Sequence, residues 1–314
     1  MVRARSALIL LLIAVSPAAL AERILPAPEQ LSERVWAWIG PYGGPTQENR
    51  GFRMNLLYVV GDDAVAVLDT GYTEAMAQEM LAAIRARTDR PIRYAVNTNS
   101  QAARHMGNDV FRDAGAEIVA HRDALPRLTG EAQNFAGAVE RTLGLAADSV
   151  QPPAPPTEVV DGPAKLDLGG VTLELLPAGH AHTPGSLVVN IAEQGLVYAG
   201  DVLYGERLLS ILPGVSDVAG WIAAYEGLRA HTGASFVPGH GKPGPLEKFE
   251  HPVHGYLTAL REHMDAQVDM GVDMQSAIES FDASPWAPLE NFEDLHARNA
   301  HAAYVQSEEA AFGN

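Results

Sequence analysis

Four stretches of this chain run an apolar strand into a short polar turn that contains glycine. They are Val67-Leu68-Asp69-Thr70-Gly71, Gly179-His180-Ala181-His182-Thr183-Pro184-Gly185 after the run ending at Leu176, Tyr198-Ala199-Gly200-Asp201, and Phe236-Val237-Pro238-Gly239-His240-Gly241. Loops at strand ends are where a rigid scaffold presents functional side chains. Singly, each is ordinary turn chemistry; as a set in this order, they mark a site.

The segments between them read as alternating strands and helices. Val35 to Ile39 and Met54 to Val60 are strand runs, Gly61-Asp62-Asp63 turns the second into Ala64 to Leu68, and apolar spacing of three and four makes Thr73 to Arg87 an amphipathic helix. Ile92 to Val96 is the next strand, followed by a helix through Phe111 to Ala114, a strand at Glu117 to Ala120 and a helix start at Arg122 to Leu128. After Pro152 to Pro156, taken as a stiff surface crossover within one domain, short strands return at Lys165 to Leu168, Val171 to Leu176, Leu187 to Ile191 and Gly195 to Ala199. Helices at Val218 to His231, His254 to Met270, Asp273 to Ser280 and Asn291 to Ala311 close the chain. Two similar successions of strands and helices predict an α/β fold with two packed sheets and helices outside, the four-layer αββα sandwich.

The N-terminus carries Arg3 and Arg5, an apolar run from Ser6 to Val15 and small residues at Ala19-Leu20-Ala21, the pattern of a cleavable secretory leader over 1–21. The run is well short of the ~20 residues a membrane span needs. The expectation is a periplasmic or secreted protein, free of the membrane after cleavage, with one domain over 22–314 and C-terminal helices from about residue 254. With no cysteine, any transition metal must be held by His and carboxylates. Lys and Arg number 22 against 39 Asp and Glu, a formal charge of −17, and loss of Arg3 and Arg5 with the leader makes it −19. Such a surface repels phosphate backbones, so nucleic acid is not an expected partner. The small-molecule substrate or ligand and the oligomeric state stay open.

Asp69-Thr70-Gly71, His182-Thr183-Pro184-Gly185, Gly200-Asp201 and Pro238-Gly239-His240 together resemble the metallo-β-lactamase superfamily of metal-dependent hydrolases, over nearly the whole mature chain. The resemblance implies that His182, Asp201 and His240 are metal ligands, that Asp201 is catalytic through a metal-activated water, and that Asp69 and His180 orient ligands by hydrogen bonding. The family's remaining landmark, Asn-Thr-His-x-His-x-Asp-His-x-x-Gly-Asn, is rewritten. Here the stretch reads Asn97-Thr98-Asn99-Ser100-Gln101-Ala102-Ala103-Arg104-His105-Met106-Gly107-Asn108, with flanks aligned without a gap. Asn99 and Gln101 stand at the two first-site histidines, Ala103 at the second-site aspartate and Arg104 at the second-site histidine.

A normal dinuclear zinc centre is disfavoured, since amide oxygens are poor transition-metal ligands beside neutral imidazole. Three arrangements remain open. His182, Asp201 and His240 converge on one zinc or other divalent ion; or His105 swings in as a fourth ligand; or no metal is present, Arg104 clasps Asp201 in its place, and Asn99 and Gln101 fill the first site by hydrogen bonds. The alternative for Arg104 and His105 is a solvated loop pair without a role. The expected function is at most a mononuclear hydrolase of an ester, thioester or amide; the competing expectation is a pseudoenzyme that binds or scaffolds. β-Lactam hydrolysis is the least favoured, because it depends on the missing zinc ligands. Trp36, Trp38, Trp221 and Trp286 are expected in the core, and His121, His231, His251, His254, His263, His296 and His301 away from the site.

Overall fold

A computed structural model describes residues 23–313; the leader expected over 1–21 lies outside the described residues. The first half runs β1 (Glu29–Gln30), β2 (Val35–Trp38), β3 (Leu56–Val60), β4 (Val65–Leu68), α1 (Glu74–Arg85), β5 (Ile92–Val96), α2 (Ala102–His105), α3 (Asn108–Asp113), β6 (Glu117–His121), α4 (Leu125–Gly130), α5 (Ala132–Leu143) and β7 (Glu158–Val160). The second runs β8 (Ala164–Asp167), β9 (Thr172–Gly179), β10 (Ser186–Ile191), β11 (Leu196–Tyr204), α6 (Val218–Leu228), β12 (Ser235–His240), α7 (Tyr256–Asp269), α8 (Met274–Ser280) and α9 (Phe292–Phe312).

β1 to β7 form one sheet in sequential order, and β8 to β12 form the other, also in sequential order. Short connections join the antiparallel neighbours β3 and β4 and β8 to β11, whereas a long segment over 39–55 joins the antiparallel pair β2 and β3. The parallel neighbours need crossovers, and each receives helices: α1 between β4 and β5, α2 and α3 before β6, α4 and α5 before β7, and α6 between β11 and β12. One core lies between the sheets, where Val35, Leu57, Leu68 and Val96 meet Leu173, Leu187, Val189 and Tyr198. A second packs Trp38, Leu56 and Tyr58 under Met76, Met80, Ile84 and Phe111, and a third packs Val197, Val202 and Phe236 under Trp221, Leu257, Leu260 and Tyr304. Helix, sheet, sheet, helix is the αββα sandwich the sequence predicts.

α1 shows why local sequence gives these elements: the Thr73 side chain accepts from the Met76 backbone N–H to cap it, and Met76, Ala77, Met80 and Ile84 form its buried stripe. All four tryptophans are buried in the cores. α5 and β7 are absent from the sequence expectation, because the buried face of Ala132 to Leu143 is only Ala136, Val139 and the charged Glu140, and β7 is three residues long. β9 runs to Gly179 rather than Leu176, and β11 continues through Gly200-Asp201 to Tyr204 where a loop is expected. The extension of β11 pairs with β12 across register shifts on either side of Gly200, so the glycine that reads as a turn is a bulge inside a buried strand.

Candidate functional site

The site lies where the C-terminal ends of β4, β5 and β11 and the last residue of β12 meet along the seam between the sheets. Asn55 ties that seam. Its backbone N–H donates to the Gly239 carbonyl at 2.8 Å, and its Nδ2 donates to the carbonyls of Pro238 and Gly241 at 2.8 and 2.7 Å. The Leu187 N–H adds a second tie to the Thr98 carbonyl at 2.7 Å. Side chains from both halves are thus held at fixed separation.

At its centre Arg104 clasps Asp201. Nε donates to Oδ2 at 2.9 Å and Nη2 donates to Oδ1, while Nη1 donates to the Asn55 carbonyl at 2.9 Å, the Tyr198 hydroxyl at 3.0 Å and Asp69 Oδ2 at 3.3 Å. Nη2 also reaches the Gly239 carbonyl at 3.1 Å. Every N–H direction of the guanidinium therefore has an acceptor, which is what burying an always-charged group requires. Asn99 Nδ2 donates to Asp201 Oδ2 at 2.8 Å. A Cβ at position 239 would collide with Asp201 Oδ1 and Arg104 Nη2, so the pair closes only over a glycine.

Two carboxylates share this one cation, and they divide the charge unequally. Burial works to raise Asp201, but the Arg104 guanidinium, aided by His182 and His240, holds its carboxyl well below the usual range. Asp69 is pushed up to about 6, chiefly by burial, against Arg104 and the hydrogen bonds it accepts from Thr98 and Tyr198. Its oxygens accept from the Thr98 N–H at 2.8 Å, from Thr98 Oγ1 at 2.9 Å and from the Tyr198 hydroxyl at 2.7 Å. Asp69 thus braces the Arg104 loop rather than orienting a histidine. Burial works to lower Arg104, and Asp201 holds it well above its ordinary value.

The retained histidines flank the pair. His240 Nδ1–H donates to the Arg53 carbonyl at 2.8 Å, leaving Nε2 3.4 Å from Asp201 Oδ1. His182 stands with Nε2 3.9 Å from Asp201 Oδ2, edge-on to Trp221 at 5.1 Å, and both its nitrogens are buried without a partner. Burial pushes His182 down to about 4 and His240 well below the ordinary imidazole range, so both rings are neutral at pH 7.

Whether these residues fit a metal ion is decided at Asp201. Oδ2, the oxygen that faces His182, has both lone pairs committed to Arg104 Nε and Asn99 Nδ2. An ion shared by His182 and Asp201 would have to break one of these bonds and sit within a few ångströms of the guanidinium charge. Among the described residues, no group of three or more His, Cys, Asp or Glu is arranged to hold a metal ion. The residues do not fit the zinc centre of the family.

Other expectations are corrected. His105 does not swing inward: α2 is one helical turn, adjacent residues on it point about 100° apart, and with Arg104 facing the seam His105 faces α5. There its Nδ1 bonds the Gln101 carbonyl at 2.9 Å and its ring meets Phe135 edge-on at 4.9 Å. Neither Arg104 nor His105 is a solvated loop residue, at 0% and 1% exposure. The Gln101 side chain makes no bond to Asp201, and its Oε1 is buried without a partner. His180 is exposed and bonds the Val215 carbonyl at 2.5 Å, away from the His182 ring. His121 is nearer the site than expected: a Cβ on Gly185 of the His182 loop would lie 3.1 Å from its Nδ1. Sequence reasoning gave no role to Asn55, which carries no motif, nor to Thr98 and Tyr198, which lie inside quoted segments; only their buried polar groups, seen in three dimensions, reveal them.

A family model of the metallo-beta-lactamase superfamily matches residues 50–276. The chain belongs to that superfamily, and it is a metallo-hydrolase-like protein. The solved metallo-beta-lactamase from Pontibacter korlensis superposes with a TM-score of 0.57 at 19% identity, covering 74% of this chain and 98% of that one. TMB-1 gives 0.55 at 18% identity over 74% and 96%, and the DIM-1 metallo-beta-lactamase 0.56 at 16% identity over 74% and 98%. At these identities the likeness is one of fold.

Proposed function

We propose that this chain is a non-catalytic, exported member of the superfamily, a binding protein whose former metal centre is held together by an ion pair. The observation that carries this is the bidentate Arg104–Asp201 pair, buried with Asn99, His182 and His240 at 2% exposure or less. Hydrolysis in this family needs a metal-bound water with an open path to substrate. Here the carboxylate that would bridge the metals is neutralised by a guanidinium, and the side chains around it are closed to solvent. The leader at 1–21 supports export to the periplasm or beyond.

A mononuclear hydrolase is the second reading. It is favoured by the two unpartnered nitrogens of His182, a ligand-like orphan that the ion pair leaves unexplained. The test is turnover of ester, thioester and amide substrates by protein purified from the periplasm and supplied in turn with zinc, manganese and iron. The binding reading expects no turnover above that of a His240→Ala control under any metal. Metal-dependent turnover abolished by His240→Ala would overturn it.

A further inference from the structure

Three arginines, one before β3, one after β11 and one on α9, are tied to His240, to the Tyr204 ring stacked on it, or to the loop that follows β11, and among the described residues none of them has a counter-ion. Arg53 precedes β3 and holds His240 through its carbonyl at 2.8 Å, while its own Nε is buried without a partner. Arg207 follows β11 and is 3% exposed; its guanidinium carbon lies 5.8 Å from the centroid of the Tyr204 ring, which stacks on His240 at 4.9 Å. The one hydrogen bond from its side chain is a long contact from Nε to the Leu208 carbonyl at 3.4 Å, and Nη1 is buried with nothing to donate to. Arg298, exposed on α9, is fixed to the same loop by a bond from Nη2 to Ser210 Oγ at 2.6 Å. Among the described residues none of the three lies within salt-bridge distance of a carboxylate.

In a chain with 39 acids against 22 bases, leaving buried arginines unpaired is costly and needs a reason. Arg207 also feels the other two: burial first, then Arg53 and Arg298, push it down to about 10, against the opposing pull of Tyr204 and Asp201. The set is graded from exposed Arg298 through half-buried Arg53 to buried Arg207.

We propose that Arg53, Arg207 and Arg298 form an anion-binding site that takes a small ligand through an oxyanion group, a carboxylate, sulfate or phosphate. Guanidinium forks match the two oxygens of such groups, and Arg207 Nη1 and Arg53 Nε are the donors left free for them. This deepens the binding reading and rests on it for its purpose, but it stands on residues that take no part in the Arg104–Asp201 pair.

The test is thermal unfolding of the mature protein in sodium citrate, sodium sulfate or sodium phosphate, each against sodium chloride of equal ionic strength. The preferred anion raises the melting temperature by about 4 °C at about 100 times its Kd, and comparison of the three salts tells a carboxylate from an inorganic oxyanion. Arg207→Gln removes that rise, yet melts in sodium chloride at or above the wild-type temperature because an unpaired buried cation is gone. Arg298→Gln, at an exposed position that cannot threaten folding, shifts the half-effect concentration upward by up to about fivefold. No anion-specific rise in the wild type overturns the proposal. So does an equal rise in wild type and both variants, which is the general stabilisation given by excluded anions. Metal found in the protein would leave this result untouched, and a failure here would leave the metal-free centre standing.

Discussion

The segment from Asn97 to Asn108 and the segments carrying His182, Asp201 and His240 face each other across one seam, yet one is rewritten and the others keep the family's residues. What the first supplies is a guanidinium, and what the second supplies is the carboxylate it clasps. An Asp201 kept without a cation would be a desolvated charge costing several kcal/mol. Arg104 supplies that cation from within the chain, in the place where the family's pattern has a histidine. The comparison teaches that the rewritten stretch and the kept carboxylate form one unit, since the charge of Asp201 is met by a side chain of the same chain.

The strongest way to break the comparison is to remove the new partner. Arg104→Met should lower unfolding stability by about 3–5 kcal/mol in urea titrations, because it strands Asp201 in a seam closed to solvent. Wild-type stability would mean that the carboxylate has another counter-charge. Combining Arg104→Met with Asp201→Leu should recover about 2 kcal/mol of that loss, since an apolar pair of similar volume no longer buries a charge. Strictly additive losses would contradict a coupled pair.

Acid titration sharpens the comparison next. His105 and His182 are held near 4 by burial and His240 lower still, against an ordinary value of about 6.5. Each contributes stability that is present above pH ~6.5 and lost as the pH falls through its folded value. Asp69, raised to about 6, acts oppositely, contributing below pH ~4 and losing that contribution as the pH rises through 6. Three against one leaves unfolding to take up about two protons between pH ~6 and ~4, so stability should fall by about 2–3 kcal/mol per pH unit on acidification. Asp69→Asn should steepen that slope to about 4 kcal/mol per unit; an unchanged slope would show that Asp69 is ionised across the range.

The smallest effect is expected at His182. Both its nitrogens are unpartnered, so His182→Phe, beside Trp221 and Tyr204, should change stability by less than about 1 kcal/mol. A large loss would show that the ring makes a stabilising bond and would contradict this reading.

The sandwich was legible because strand ends, turns and the α1 stripe are periodic and local, and because four landmarks fall in family order. The position of Arg104 was legible from the ungapped flanks of its loop. Which way its neighbours point was not: one helical turn at α2, with His105 against Phe135 of α5, sends Arg104 to the seam and His105 to the helix layer. Tyr198, Asn55 and Thr98 were invisible for a similar reason, since a buried phenol or amide earns its place by partners that sequence spacing does not bring together. The unpaired Arg53, Arg207 and Arg298 lie far apart along the chain and share no motif.

Metal content tests the central claim most directly. Protein purified from the periplasm is offered zinc, manganese and iron in turn and measured by elemental mass spectrometry beside Arg104→His and His240→Ala. If the guanidinium occupies the place of the ion, the wild type retains well under one equivalent of each metal, and only Arg104→His gains any. One tightly held equivalent in the wild type, lost in His240→Ala, would contradict the account and restore the mononuclear centre.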